Sequence, residues 1–376
     1  MAGILAESRP ARGEFPGPTL TTLPEAIACN IATLRSRTRA HIMAVVKADG
    51  YGHGATTVAR VAVAAGVDWL GTTDLAEGFA LRAAGLTVPI LTWLNPSGLD
   101  AELAATARLD IAIGSVDELE ALGKPAPAPV RVHLNLDTGM GREGCPASEC
   151  DALVARALQE QQRGTIHLVG LMGHLSRADE ARSEENQAAV RRLRQARRTL
   201  VAAGFEVPIT HLAATSGTLC DPAAHFDLVR VGAGLVGIDP SGSTDLCGAS
   251  RLTAPIVHTA TAKPGTSVGY GSDYATIAAT NLAVLPVGYA DGIPREISPD
   301  ASVAIRDRRY RIVGRVSMDQ VVIDTGTELF PRGTTATIFG PRQGAAPTIH
   351  DWAGWARTIP HTIVTGIGPR VRRTIA

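Results

Sequence analysis

Between residue 20 and about residue 238 the chain alternates short apolar or β-branched runs with alanine-rich segments of helical period. Runs of strand character start near His41, Val67, Val88, Leu109, Val130, Ile166, Ile209 and Asp227. Residues 23–37 read as an opening helix, and helical stretches at 74–84, 115–122, 151–161 and 184–203 fall between the runs. Strands covered by helices on their outer face read as continuous apolar runs rather than alternating ones, so this rhythm predicts a parallel sheet. Eight βα units in roughly 220 residues have the count and size of a closed (β/α)8 barrel. An open doubly wound sheet is the alternative, but no GxGxxG follows the first strand.

After Gly237 the pattern changes. Asp239-Pro240-Ser241-Gly242-Ser243-Thr244 reads as a linker or turn, and strand-like runs follow at 253–262, 276–286, 302–306, 310–324 and 334–339, punctuated by glycine and proline. The expected organisation is a leader over residues 1–17, an α/β barrel over 18–238 and a mostly β domain over 239–376. The leader, with Pro10, Gly13, Pro16 and Gly17, reads as flexible.

Composition narrows the function classes. A hydrophobic share of 45% with 19% charged residues is that of an ordinary soluble protein of 376 residues. Its 36 basic and 36 acidic residues cancel, so nothing favours nucleic acid or an anionic membrane as a partner. Five cysteines (Cys29, Cys145, Cys150, Cys220, Cys247) without a CxxC pair argue against a disulfide framework and against a zinc site, and predict a reducing compartment. No stretch approaches ~18 consecutive apolar residues, and the leader carries Glu7, Arg9, Arg12 and Glu14, so neither a membrane span nor a secretory signal is expected. A cytoplasmic enzyme is the resulting expectation. The arginine cluster from Arg191 to Arg198 has Leu193 and Leu200 at helical spacing and reads as a solvated helix face.

Candidate chemistry sits where the strands end, as barrels place it. The run His41-Ile42-Met43-Ala44-Val45-Val46 closes on Lys47, followed by a loop with three glycines. A lysine delivered by an apolar strand is snorkelling, ion-paired or chemically employed, and an amine in a low-dielectric pocket loses proton affinity. The same strand end also delivers Tyr51, and the other strand ends offer Asn135, Arg142, His174, Thr215-Ser216-Gly217 and Arg230. Ser216 with the backbone near Gly232 and Ala233 forms a candidate phosphate cradle, since small residues let N–H groups approach an anion. Taken singly, His174 reads as a core histidine and Ser216-Gly217 as an ordinary turn.

The run Lys47-Ala48-Asp49-Gly50-Tyr51-Gly52-His53-Gly54 resembles the signature of the pyridoxal-phosphate-dependent alanine racemases of fold type III, whose lysine binds the cofactor. Further blocks carry the resemblance along the chain: Leu136-Asp137-Thr138-Gly139-Met140-Gly141-Arg142, Gly170-Leu171-Met172-Gly173-His174, Val229-Arg230-Val231-Gly232, Val268-Gly269-Tyr270-Gly271, Pro286-Val287-Gly288-Tyr289-Ala290-Asp291-Gly292 and Gly314-Arg315-Val316-Ser317-Met318-Asp319-Gln320. The resemblance implies pyridoxal 5'-phosphate as cofactor and Lys47 and Tyr270 as the bases on the two faces of the substrate Cα. It implies Tyr51 on the phosphate, Arg142 on the cofactor phenolate and substrate carboxylate, His174 against the cofactor ring and Arg230 facing the pyridine nitrogen. It also implies a head-to-tail homodimer in which Tyr270 and Met318 complete the site around Lys47 of the other subunit. A decarboxylase of the same architecture and a noncatalytic pyridoxal-phosphate carrier are the rival readings.

Four positions depart from the family pattern. Asn135 stands where many members have a lysine that becomes carbamylated, which predicts a small anion nearby or a looser Arg142. His361 stands where a tyrosine usually reaches the phosphate, with Thr362 in place of an acidic residue, and Thr215 where asparagine is common. The substrate is therefore expected to be alanine, or serine or another small amino acid.

Overall fold

The computed structural model describes residues 16–95, 98–122, 126–180, 183–206 and 208–376, so the expected leader lies outside the described residues except for Pro16 and Gly17. Two units divide them: residues 24–249, and the residues up to Leu23 taken with Ser250–Ala376.

The first unit is a closed barrel of eight parallel strands in chain order: His41–Val45, Trp69–Thr72, Ile90–Thr92, Leu109–Ile113, Val130–Asn135, Ile166–Met172, Ile209–His211 and Leu228–Val231. It closes where Ile42 pairs with Val229 and Met43 with Arg230. Helices wrap the outside, among them Pro24–Arg37, Leu75–Ala83, Val116–Ala121, Cys150–Gln162 and Glu184–Ala202. Several start at a side-chain cap that satisfies a free N–H of the first turn: Asp74 accepts from Glu77, Ser115 from Glu118 and Ser183 from Asn186. Inside the barrel Met43, Val45, Trp69, Leu91, Ala112, Met172 and Leu228 form one buried cluster. That packed interior is the platform on which the strand ends hold their side chains.

The second unit is a nine-stranded sheet in the order His258–Ala262, Thr280–Leu285, Val321–Gly326, Arg308–Val313, Ser302–Ile305, Thr335–Phe339, Ser250–Pro255, Thr19–Thr22, Arg372–Ile375. Three details differ from the sequence reading. Thr19–Thr22, expected with the barrel, pairs with Ser250–Thr253 and with Arg372–Ile375, because its backbone finds partners more than two hundred residues away. The run 253–262 is two strands, the first ending at Pro255, which has no N–H to continue a ladder. The run 310–324 is also two strands, broken at Gly314, whose φ of +70° turns the chain into the loop that carries Met318.

Candidate functional site at the barrel mouth

Lys47 follows the first barrel strand, and the four residues after it form a turn of left-handed helix. Their φ/ψ values are 52/52 at Ala48, 53/46 at Asp49, 61/43 at Gly50 and 56/40 at Tyr51. L-residues resist this conformation at about 1–2 kcal/mol each, so surrounding bonds must impose it. Glu77 does much of that: one carboxylate oxygen accepts Ala48 N–H and the other Thr73 N–H, both at 2.8 Å. Gly50 N–H returns to Val46 O at 2.8 Å, and Asp49 Oδ1 accepts Ala55 N–H at 2.8 Å. The Lys47 amine lies 5.9 Å from the centroid of the Trp93 ring, within cation–π range. Burial, and then the charge of Arg142, lowers its pKa from the usual lysine value.

The same turn sends Tyr51 back onto the core cluster. Its hydroxyl meets the glycine loop after the last strand: a Cβ on Gly232 would fall 2.3 Å from Tyr51 Oη. Burial pushes that hydroxyl up to about 12, so it stays protonated and can donate. Thr215, buried at the start of the helix Thr215–Cys220, supports the loop from below, its Oγ1 accepting Gly232 N–H at 3.3 Å and Gly234 N–H at 3.1 Å. A Cβ on Gly234 would lie 2.9 Å from Thr215 Cγ2, so glycine is required there. Ser216 and Ala233 are buried beside these groups.

Arg230 is buried in the last strand, with both terminal nitrogens engaged. Nη2 donates to Gly173 O at 2.8 Å, to Leu212 O at 3.2 Å and to His174 Nδ1 at 3.0 Å, while Nη1 donates to His211 O at 3.1 Å and His211 Nδ1 at 2.9 Å. Burial brings its pKa down to about 10, which leaves it a cation at neutral pH. His174 is held down to about 3 by burial, then by the charges of Arg230, Arg142 and Lys47, so it is neutral. Behind Arg230 a line of polar groups crosses the barrel: His211 Nε2 to His133 Nδ1 at 2.9 Å, His133 Nε2 to Asp110 Oδ2 at 3.2 Å, and Arg131 Nε to Asp110 Oδ1 at 2.6 Å. Burial works to raise the Asp110 carboxyl, but the hydrogen bonds from His133 and Arg131 outweigh it and hold it below the ordinary value. Sequence reasoning missed His211, His133 and Asp110; the available signal was polar residues inside strands that otherwise read as apolar.

Arg142 comes from the loop after the fifth strand. Asp137 Oδ1 shapes that loop by accepting the N–H groups of Gly139, Met140 and Gly141 at 2.8, 2.9 and 3.1 Å. The Arg142 side chain is half exposed and pairs with Glu143 at 2.7 Å. Asn135, buried at the end of its strand, accepts Cys145 N–H on its carbonyl at 2.8 Å. Lys47, Tyr51, Arg142, His174, Ser216, Arg230, Gly232 and Ala233 thus all belong to the carboxyl ends of the barrel strands.

Tyr270, Met318 and His361 belong to the second unit. Tyr270 opens a 3-10 turn between the paired strands Ser267–Val268 and Tyr274–Ala275, flanked by Gly269 at φ +75° and Gly271 at φ +79°. Its side chain is 69% exposed, and that of Met318 52%. The blocks carrying them converge: Tyr289 N–H and Ala290 N–H donate to Ser317 O and Met318 O at 3.0 and 2.9 Å, and a Cβ on Gly314 would strike Val268 O. Arg315 closes the arrangement by pairing with Asp273. A cavity of about 430 Å³ lies in this region, lined by Asp273, Tyr274, Arg295, Arg311 and Arg315 among others. His361 is half-buried on the short helix Pro360–Thr365.

Fold and site together define a barrel enzyme with an accompanying β unit and an activated amine at the barrel mouth. Residues 24–240 match the family model described as alanine racemase, N-terminal domain, and residues 249–375 the one described as alanine racemase, C-terminal domain. The chain belongs to the alanine racemase family, and its class of activity is that of an amino-acid racemase. It is 42% identical over 358 residues to the alanine racemase of Beutenbergia cavernae, covering 93% of this chain and 95% of that one. The crystal structure of alanine racemase from D-cycloserine-producing Streptomyces lavendulae superposes with a TM-score of 0.92 at 35% identity, over 96% of this chain and 97% of that one. The alanine racemase of Bartonella henselae, solved with covalently bound pyridoxal phosphate, superposes at 0.83 with 26% identity, over 96% of this chain and 99% of that one.

Proposed function

We propose that this racemase interconverts L- and D-alanine with pyridoxal 5'-phosphate held at the barrel mouth and with Lys47 and Tyr270 as its two bases. The observation that carries the proposal is the Lys47 amine, which burial and Arg142 bring below the usual lysine pKa while a strained turn and Glu77 fix its position. The donor set fits the cofactor. Lys47 supplies the amine that attaches it, Arg230 a permanent cation for the ring nitrogen, and Arg142 a guanidinium for a carboxylate. The protonated Tyr51 hydroxyl, Ser216 and the Ala233 N–H supply phosphate donors in a cradle bounded by Gly232, which any Cβ added there would fill.

Bound there, pyridoxal phosphate supplies the electron sink that makes the substrate Cα–H acidic. Inversion then needs one base on each face of Cα, so a proton removed on one side is returned on the other. Lys47 serves one face from the barrel. Tyr270 serves the other, and its exposure together with that of Met318 supports a head-to-tail homodimer in which each subunit lends both residues to its neighbour. His174 accepts from Arg230 on Nδ1, so its proton sits on Nε2, available to a phenolate. Cytoplasmic location belongs to the same proposal; among the described residues no helix is long and apolar enough to cross a membrane.

Acceptance of L-serine is a second reading, favoured by an Arg142 that is half exposed and paired only with its neighbour Glu143, in a chain whose Asn135 is neutral. The test is incubation with L-alanine or L-serine in deuterated water. Inversion with Cα deuteration and without release of carbon dioxide is expected for L-alanine; gas release or retained configuration overturns the racemase assignment. A strong preference for alanine over serine in kcat/KM removes the second reading.

A further inference from the structure

Two cysteines 218 positions apart face each other on the surface of the barrel unit. Cys29 lies in the helix Pro24–Arg37 and Cys247 in the segment that leaves the barrel; both are exposed, and Cys247 Sγ donates to Cys29 Sγ at 3.5 Å. The backbone around the pair is pinned from three sides. Asn30, fully buried, donates from Nδ2 to Leu235 O at 3.1 Å and to Cys247 O at 2.8 Å, and its Oδ1 accepts Cys247 N–H at 2.7 Å. Gly237 packs so closely that a Cβ there would sit 2.3 Å from Cys247 O. The segment is therefore held in place while the two sulfurs remain open to solvent.

The other cysteines are placed differently. Cys145 and Cys150 also meet, both sulfurs on the Pro146 carbonyl at 3.6 and 3.5 Å, but Cys145 is buried and burial pushes its thiol up to about 12; Cys220 donates to Ser241 and Ser243. Only thiolate attacks a disulfide, and access decides which thiol is reached. The hydrogen bond to Cys29, and then burial, raises the Cys247 thiol above its usual value, so Cys247 keeps its proton.

We propose that Cys29 and Cys247 form a thiol-oxidation site whose co-substrate is a small-molecule disulfide and whose product is an intrachain Cys29–Cys247 disulfide. The Cys29 thiolate attacks one sulfur of the small disulfide; its S–S bond breaks, a mixed disulfide forms on Cys29, and one small thiolate leaves and takes up the Cys29 proton. Cys247 then loses its proton and attacks the Cys29 sulfur, expelling the second small thiolate, which takes up that proton. Two protein thiols are oxidised and one small disulfide is reduced to two thiols. Excess small thiol reverses both steps. The two sulfurs need only close from contact distance to bonding distance, about 2 Å, by side-chain rotation about fixed backbones. The cross-link joins the opening helix of the barrel unit to its exit segment and encloses nearly the whole barrel, so it restrains the unfolded chain strongly.

The test treats the holoenzyme with oxidised glutathione, quenches in acid, alkylates under denaturing conditions and maps the peptides. Expected are protection of two of the five cysteines, a mass lower by about 2 Da, a single cross-linked pair joining Cys29 to Cys247, and a thermal midpoint raised by about 5 °C or more. Cys247→Ser should trap the glutathione adduct on Cys29, and Cys29→Ser should take up none, with racemase activity of both unchanged. Five alkylated cysteines after treatment, a cross-link between other cysteines, or an adduct trapped elsewhere overturns the proposal.

Discussion

Arg230 Nη1 donates to His211 Nδ1 at 2.9 Å inside the barrel, and that bond fixes the proton on each imidazole behind it. An arginine is always the donor, so His211 Nδ1 is an acceptor and the His211 proton sits on Nε2. His211 therefore donates to His133 Nδ1, and His133 donates from Nε2 to Asp110. The chain of donors runs one way, from the Arg230 cation to the Asp110 carboxylate, where Arg131 meets it from the half-exposed side. Arg230 is thereby held in one orientation as a full cation at the barrel mouth.

His133→Phe tests that line. Phenylalanine keeps the edge contact with Trp69, now 5.4 Å between centroids, and fits the space left by Gly170. It leaves His211 Nε2–H without its acceptor and removes one of two donors from Asp110 Oδ2, which keeps Arg131 Nη2 at 3.1 Å, so the change should cost about 1–3 kcal/mol of stability in urea unfolding. Wild-type stability in this variant contradicts the one-way arrangement.

Acid should destabilise the protein earlier than its carboxylates require. His174 titrates at about 3 when folded and burial pushes His211 well down, whereas unfolded imidazoles titrate near ~6.5. Below that pH the unfolded chain binds more protons than the folded one, so stability falls as pH drops, by up to about 1.4 kcal/mol per unit for each histidine. Asp110 is lowered in the same sense: its contribution is present above the unfolded carboxyl value near ~3.9 and is lost as pH falls below that towards its lower folded value, so it adds to the acid sensitivity only at lower pH. Urea unfolding at pH 7 and pH 5 should differ by about 2 kcal/mol or more. Equal stabilities at the two values contradict neutral, buried His174 and His211.

The left-handed turn after Lys47 makes a prediction of the opposite sign. Ala48 sits at φ +52°, where glycine is unstrained, so Ala48→Gly should raise stability by up to about 1 kcal/mol despite the added chain entropy. Glu77→Ala should lower it by about 1–3 kcal/mol and loosen Lys47, because Ala48 N–H and Thr73 N–H lose their shared acceptor. Thermal unfolding of both variants decides the point; a destabilised Ala48→Gly contradicts stored strain.

The eight strands and the placement of Lys47, Arg142, His174 and Arg230 at their ends were legible because apolar runs in a parallel barrel are continuous and easily counted. The left-handed turn was not. Ala48, Asp49 and Tyr51 have no local preference for positive φ, and the acceptor that holds them, Glu77, lies on another element. The His211–His133–Asp110 line was hidden for a related reason, since its members come from three strands and only barrel closure lines them up. Thr19–Thr22 looked like a prelude to the barrel because its sheet partners are far away in sequence. The role of Tyr270 came from family resemblance alone, as a glycine-flanked tyrosine is locally an ordinary turn residue.

The cradle after the last strand can be tested by filling it. Gly232→Ala places a methyl 2.3 Å from Tyr51 Oη, so the tyrosine or the loop must move. Overpacking of this kind costs about 1–3 kcal/mol, which corresponds to a Kd for pyridoxal phosphate weaker by roughly fivefold to a hundredfold in an absorbance titration. Unchanged affinity contradicts a phosphate site at Tyr51 and Gly232.

Mixing two inactive variants tests the central claim, that Lys47 of one subunit and Tyr270 of another serve the two faces of one substrate. Lys47→Ala and Tyr270→Ala should each fail to racemise alanine. Co-refolded in equal amounts, about half of the dimers pair the two variants, each with one intact site, and should restore about a quarter of wild-type activity. A mixture as inactive as its parents, or a Tyr270→Ala enzyme that still racemises at the wild-type rate, contradicts the account.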